Sequence, residues 1–194
     1  MAETPTTQIP LGFKAPEFNL PDVVSGQMKT FSQIRGTKGT LVVFICNHCP
    51  YVIHVIHEIV NIAQEYMPKG FGFVAISSND VENYPQDGPE HMKIHAEKWG
   101  FPFPYLYDES QEIAKAYEAA CTPDYNLFNG NDLCVYRGQL DDSRPKNNAH
   151  VNGKDLRAAL EALLHSLPID LNQKPSTGCN IKWKKETGFK PFQF

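Results

Sequence analysis

The order of apolar and polar positions marks a strand-helix-strand unit in the first half of the chain. Leu41-Val42-Val43-Phe44-Ile45 is an unbroken apolar run, the pattern of a strand covered on both faces. Pro50 then suits a first helical turn, where its missing N–H costs nothing. From there Val52, Ile56, Ile59, Ala63 and Tyr66 fall on one stripe of a helix, with His54, Glu58, Asn61 and Glu65 on the opposite one. Pro68-Lys69-Gly70 stops this helix, and Phe71 to Ser77 forms a second buried strand. The unit should be parallel and right-handed.

The flanking segments follow the same logic. Ala15 to Pro21 is extended, and a turn at Ser25-Gly26 leads to Met28–Thr30 as a hairpin partner. Residues 79–103, rich in proline and charge, form an insertion with one helix from Pro89 to Trp99, capped by Gly100. Tyr105 to Tyr107 predicts a short strand and Gln111 to Tyr117 a short helix. Asn129-Gly130-Asn131-Asp132 predicts a hairpin between Tyr125–Phe128 and Leu133–Arg137. A final helix is expected from Gly153 to Ser166 with Asn152 as its N-cap, burying Leu156, Leu160, Leu163 and Leu167. After Pro168 the tail is polar and irregular. It still carries Cys179, Trp183, Phe192 and Phe194, which predicts that it docks.

Composition narrows the class. The 194 residues suit one domain, with a core over about 10–167, the insertion at 79–103 and a tail at 168–194. A hydrophobic share of 41% and a charged share of 21% are ordinary for a soluble globular protein. The net charge of −4, with no long basic run, argues against nucleic acid as a partner. No apolar stretch reaches the length of a signal core or a membrane span, which leads us to expect a cytoplasmic protein. Five cysteines, an odd number, do not resemble a secreted disulfide framework. In a reducing compartment a close pair points to catalysis or metal.

That pair is Cys46 and Cys49, between the first buried strand and the helix. The thiolate is the reactive form of cysteine, and a helix N-terminus lowers its pKa. Two intervening residues let both sulfurs reach disulfide distance within one turn. Cys46, at the strand end, is expected to be the more exposed, attacking thiolate, with Cys49 resolving the mixed disulfide. A cationic His48 in the loop would support Cys46, whose pKa is expected below about 7.

The order hairpin, strand-CxxC-helix-strand, insertion, helix, hairpin, helix resembles the thioredoxin superfamily. The opening Lys14-Ala15-Pro16-Glu17-Phe18-Asn19-Leu20-Pro21, with Phe31-Ser32-Gln33-Ile34-Arg35-Gly36, is similar to its redoxin branch. Cys46-Asn47-His48-Cys49-Pro50-Tyr51, Tyr136-Arg137-Gly138-Gln139-Leu140-Asp141-Asp142 and Gly178-Cys179-Asn180-Ile181-Lys182-Trp183-Lys184 look like a peroxiredoxin-like subfamily with a thioredoxin-type CxxC. The resemblance implies an α/β thioredoxin-like fold: a central mixed sheet flanked by helices, with the N-terminal hairpin, helical insertion and tail as additions. It implies a thiol-disulfide oxidoreductase without a cofactor, acting on protein or small-molecule thiols and disulfides, with a thioredoxin-type electron donor as a possible partner. Thr122-Pro123 falls where such proteins carry a cis-proline facing the cysteines, with Asn47, Pro50 and Thr122 beside the substrate.

Other readings stay open. A thiol-dependent peroxidase using Cys49 is the alternative. Peroxiredoxins place that cysteine in P-x-x-x-T-x-x-C, whereas here the threonine position is Cys46 and the proline position Val42. No buried carboxylate on the 41–45 strand offers a base for Cys49. Cys46, Cys49, His54 and His57 are superficially zinc-like, yet the two histidines sit on the polar flank of the helix, so no metal is expected. A binding module on a redox-dead fold is the third reading, against which both cysteines are intact. Cys134 reads as core, while Cys121 and Cys179 are possible additional redox thiols.

Overall fold

The computed structural model describes residues 3–185. Its strands are β1 (Glu3–Pro5), β2 (Asn19–Pro21), β3 (Met28–Thr30), β4 (Gly39–Phe44), β5 (Phe71–Ser77), β6 (Tyr105–Tyr107), β7 (Cys121–Thr122), β8 (Asp124–Asn129), β9 (Cys134–Tyr136) and β10 (Thr177–Asn180). Its helices are α1 (Phe31–Ile34), α2 (Pro50–Tyr66), α3 (Pro89–Trp99), α4 (Glu112–Ala116) and α5 (Lys154–Leu164). The central sheet has the order β6-β5-β4-β8-β9, with β4, β5 and β6 parallel and β8 and β9 antiparallel. This is the mixed sheet that the resemblance implies.

β4 is buried along its whole length, and its side chains divide between two cores as a strand's alternation requires. Leu41, Val43 and Ile45 join α2, α3 and α5, while Val42 and Phe44 join α1, α4 and the N-terminal arm. All five residues of the expected α2 stripe are buried, at about 2 kcal/mol of stabilisation for each large aliphatic side chain. A short 3₁₀ turn at Met67–Lys69 ends α2, and Gly70, at φ 96°, takes the left-handed conformation that reverses the chain into β5.

Three expectations need correction. Leu167 lies past the end of α5 and is 60% exposed, because the helix stops at Leu164. The N-cap position of α5 is Gly153, although the Asn152 side chain does accept from the Lys154 N–H at 3.0 Å. The tail is not wholly irregular: β10 pairs antiparallel with both β7 and β1 in a second, three-stranded sheet. Beyond β10 the chain is pinned by its backbone. Lys182 N–H donates to Asn79 Oδ1, and the Lys182 carbonyl accepts from Asp80 N–H and Gln111 Nε2. The tail docks as expected, with Trp183 packed on the second core; Phe192 and Phe194 lie outside the described residues.

Candidate active site

The site forms where β4 ends and α2 begins. Cys46 follows β4 after Ile45, and Cys49 is the N-cap residue of α2, beside its free first-turn N–H groups. The turn between β7 and β8 closes over them through a cis peptide bond between Thr122 and Pro123. Thr122 Oγ1 lies 3.5 Å from Cys46 Sγ, and the Thr122 carbonyl oxygen lies 3.2 Å from Cys49 Sγ. The structure thus brings together the two cysteines and the Thr-Pro turn that the sequence picks out.

It also reverses the assignment of charge. Both sulfurs are buried, with Cys46 1% and Cys49 0% exposed, so Cys46 is not the exposed member. Cys46 is raised well above the ordinary thiol range: it donates to Cys49, is desolvated, and lies beside the Asp87 carboxylate. Cys49 is lowered to about 5, chiefly by the Cys46 thiol and further by Thr122, Cys179 and the Val52 N–H, against the penalty of burial. The contact with the Thr122 carbonyl alone would favour a protonated Cys49. The shift on Cys49 is downward despite that contact, so of the two thiols Cys49 is the one favoured as thiolate.

Asp87, from the insertion, is the residue that the sequence reading misses. It is fully buried beneath the CxxC loop. Its Oδ1 accepts the backbone N–H groups of Asn47 at 2.9 Å and His48 at 3.3 Å, and its Oδ2 accepts Asn79 Nδ2 at 2.8 Å. His48 Nδ1 sits 2.6 Å from the same Oδ2, and the His48 ring stacks on Tyr84. His48 therefore stands against a carboxylate instead of acting as a lone cation beside Cys46. Nothing in local spacing links Asp87 to Cys46; the only signal is a carboxylate in a proline-rich insertion.

Both ends of the Asn47 amide are used internally, by the Gln86 carbonyl and the Tyr105 hydroxyl. Pro50 is exposed at the first position of α2. Cys121 is fully buried, its sulfur 3.6 Å from both Thr6 Oγ1 and the Pro123 carbonyl, and Cys134 is core. Cys179, on β10 opposite Thr122, reaches the Cys49 sulfur as a hydrogen-bond donor, its own pKa pushed up to about 12 by burial. A cleft lined by Tyr51, His54, Pro123, Tyr125, Arg144 and Ser176 has neither Cys46 nor Cys49 in its lining.

The zinc-like set does not assemble: His57 is exposed against Trp99, while His48 and Asp87 are the groups that converge on Cys46. Among the described residues these three alone bring ligand atoms together, within 4.8 Å of one another. The 2.6 Å between His48 Nδ1 and Asp87 Oδ2 is shorter than the roughly 3 Å or more between two ligands of one zinc ion. As arranged, the set does not fit a metal. Among the described residues no helix is long and apolar enough to cross a membrane.

The family model that matches is Redoxin, over residues 10–153. No curated protein matches the chain. Among solved structures, an uncharacterized conserved protein from Geobacillus kaustophilus is 55% identical, covering 95% of this chain and 98% of its own at a TM-score of 0.94. A hypothetical protein from Sinorhizobium meliloti 1021 is 42% identical, covering 94% of this chain and 99% of its own, at 0.91. The thioredoxin domain of a thiol-disulfide oxidoreductase from Bacteroides vulgatus, 18% identical, covers 68% of this chain and 91% of its own at 0.56. That last likeness is one of fold, and the fold is thioredoxin-like.

Proposed function

Because the chain belongs to the Redoxin family, we propose that it is an oxidoreductase exchanging dithiol for disulfide through Cys46 and Cys49, with Cys49 as the attacking sulfur. The observation that carries this reading is the two buried thiols paired at a helix N-terminus under the Thr122-Pro123 cis peptide. A thiolate at Cys49 attacks a substrate disulfide, forming a mixed disulfide and releasing one substrate thiolate. Cys46 then gives up its proton, attacks Cys49 Sγ and releases the second thiolate. Two electrons pass from the protein thiols to the substrate.

Asp87 and His48 supply what this second step needs. Their polar atoms lie within 4.8 Å of Cys46 Sγ, placed to receive its proton as it attacks. The hydrogen bond to Cys49, burial and the Asp87 carboxylate together keep Cys46 protonated, and the first of these is lost when the mixed disulfide forms, which separates the roles of the two sulfurs. Exchange between sulfurs requires no cofactor. The substrates are proposed to be protein or small-molecule disulfides, and the Cys46–Cys49 disulfide so formed to be re-reduced by a thioredoxin-type donor in a cytoplasmic setting.

Cys46→Ser is the test. Incubated with oxidised glutathione, the reading expects this variant to be oxidised at Cys49, as a mixed disulfide or a link formed from it, while the unmodified chain closes Cys46–Cys49 and turns over in an insulin-reduction assay. An adduct that instead accumulates on Cys46 in Cys49→Ser, with Cys49 left reduced in Cys46→Ser, would reverse the roles. Consumption of peroxide with thiol donors, without disulfide turnover, would favour the peroxidase.

A further inference from the structure

Cys49 has two thiol neighbours, and the dithiol reaction uses only Cys46. The second is Cys179, carried by β10 and buried in the same core cluster as Cys46 and Cys49. β10 runs antiparallel to β7 with Cys179 opposite Thr122, the residue whose hydroxyl and carbonyl already touch both active sulfurs. On its other edge β1 pairs with it, setting Glu3 opposite Cys179. The placement is tight. A Cβ built on Gly178 would fall 1.9 Å from the Thr122 carbonyl oxygen, so only glycine lets β10 lie this close to the turn. Ser176 Oγ ties the same strand to the Pro123 carbonyl at 2.7 Å. The exposed edge of β7, where an extended polypeptide could add as a strand, is thus filled by the chain's own strand, which carries a cysteine against Cys49.

We propose that Cys179 is a third redox thiol, which forms a disulfide with Cys49 in exchange with the Cys46–Cys49 bond. This inference rests on the dithiol reading above and adds a second partner for the same sulfur. After Cys49 has attacked a substrate disulfide, the Cys179 thiol passes its proton to the substrate thiolate already released and attacks Cys49 Sγ. The Cys49–Cys179 bond forms, the bond between Cys49 and the substrate breaks, and the second substrate thiolate leaves. Attack by Cys46 on the same Cys49 sulfur then closes Cys46–Cys49 and returns Cys179 to the thiol with no net change in electrons. The oxidant throughout is the substrate disulfide.

The full chain tests this, with oxidised glutathione as the probe. Cys46→Ser and the double variant Cys46→Ser/Cys179→Ser are treated briefly, quenched in acid and mapped by mass without reduction. Resolution by Cys179 leaves Cys46→Ser with a Cys49–Cys179 link and about tenfold less glutathione on Cys49 than the double variant holds. Equal adduct on Cys49 in both variants overturns the proposal. So does a brief oxidation of the unmodified chain that yields Cys46–Cys49 and no Cys49–Cys179 peptide, a readout that does not depend on how the variants fold. In either case turnover by the unmodified chain leaves the dithiol reading standing. An unmodified chain that stays fully reduced sinks both.

Discussion

Replacing Cys49 with serine lowers disulfide-reducing turnover by at least about a thousandfold, the scale on which loss of a nucleophile is felt. The hydroxyl occupies nearly the same volume at the N-cap of α2, so the fold and its thermal midpoint should change little. Its pKa lies far above any working pH, so the charge that Cys46, Thr122, Cys179 and the Val52 N–H converge on disappears. Cys46 alone cannot replace it, because burial and the Asp87 carboxylate keep that thiol protonated. Steady-state insulin reduction, with circular dichroism as the fold control, checks this. A Cys49→Ser variant that keeps a tenth or so of the activity would assign the attack to Cys46.

Gly178→Val acts in the opposite direction on reactivity and costs stability. Two backbones meet at this position, and a side chain would fall on the Thr122 carbonyl at 1.9 Å, so relief requires β10 to move away from β7. The expected loss is about 2–4 kcal/mol, or roughly 5–12 °C in thermal midpoint for a chain of this size. Lifting β10 also uncovers the sulfurs that it helps to bury. Alkylation of Cys49 by a neutral maleimide is therefore expected to accelerate about tenfold at neutral pH. A variant with unchanged midpoint and unchanged labelling would show that β10 does not seal the site.

What could be read from the sequence is what local pattern determines. The apolar run at 41–45 and the run at 71–77 signal strands with two covered faces, and the α2 stripe signals the face turned to the sheet. Cys46 and Cys49 are legible because their chemistry depends on a strand end and a helix start, both of which are local. Asp87 is not legible in this way, since it meets Asn47, His48 and Asn79 only once the insertion folds back under the loop. Local reasoning lowers Cys46, whereas the contact with Cys49, burial and then the distant Asp87 carboxylate raise it, and the last two depend on the tertiary fold. β10 is hidden for a related reason. Thr177-Gly178-Cys179-Asn180 has no alternation of its own, and becomes a strand through pairing with β7 and β1. Leu167 illustrates the limit of periodicity, because the leucine repeat runs on past the point where α5 ends.

The claim tested most directly is that Cys49, and not Cys46, carries the charge. Reduced protein is pulsed with iodoacetamide across a pH series, and labelling of each cysteine is followed by mass mapping. Since the group reacts as the thiolate, and its pKa is lowered to about 5, Cys49 labelling should rise through that pH and be level well below neutrality, with Cys46 silent across the same range. Labelling that begins at Cys46, or a Cys49 midpoint at the free-thiol value of about 8.5, would contradict it.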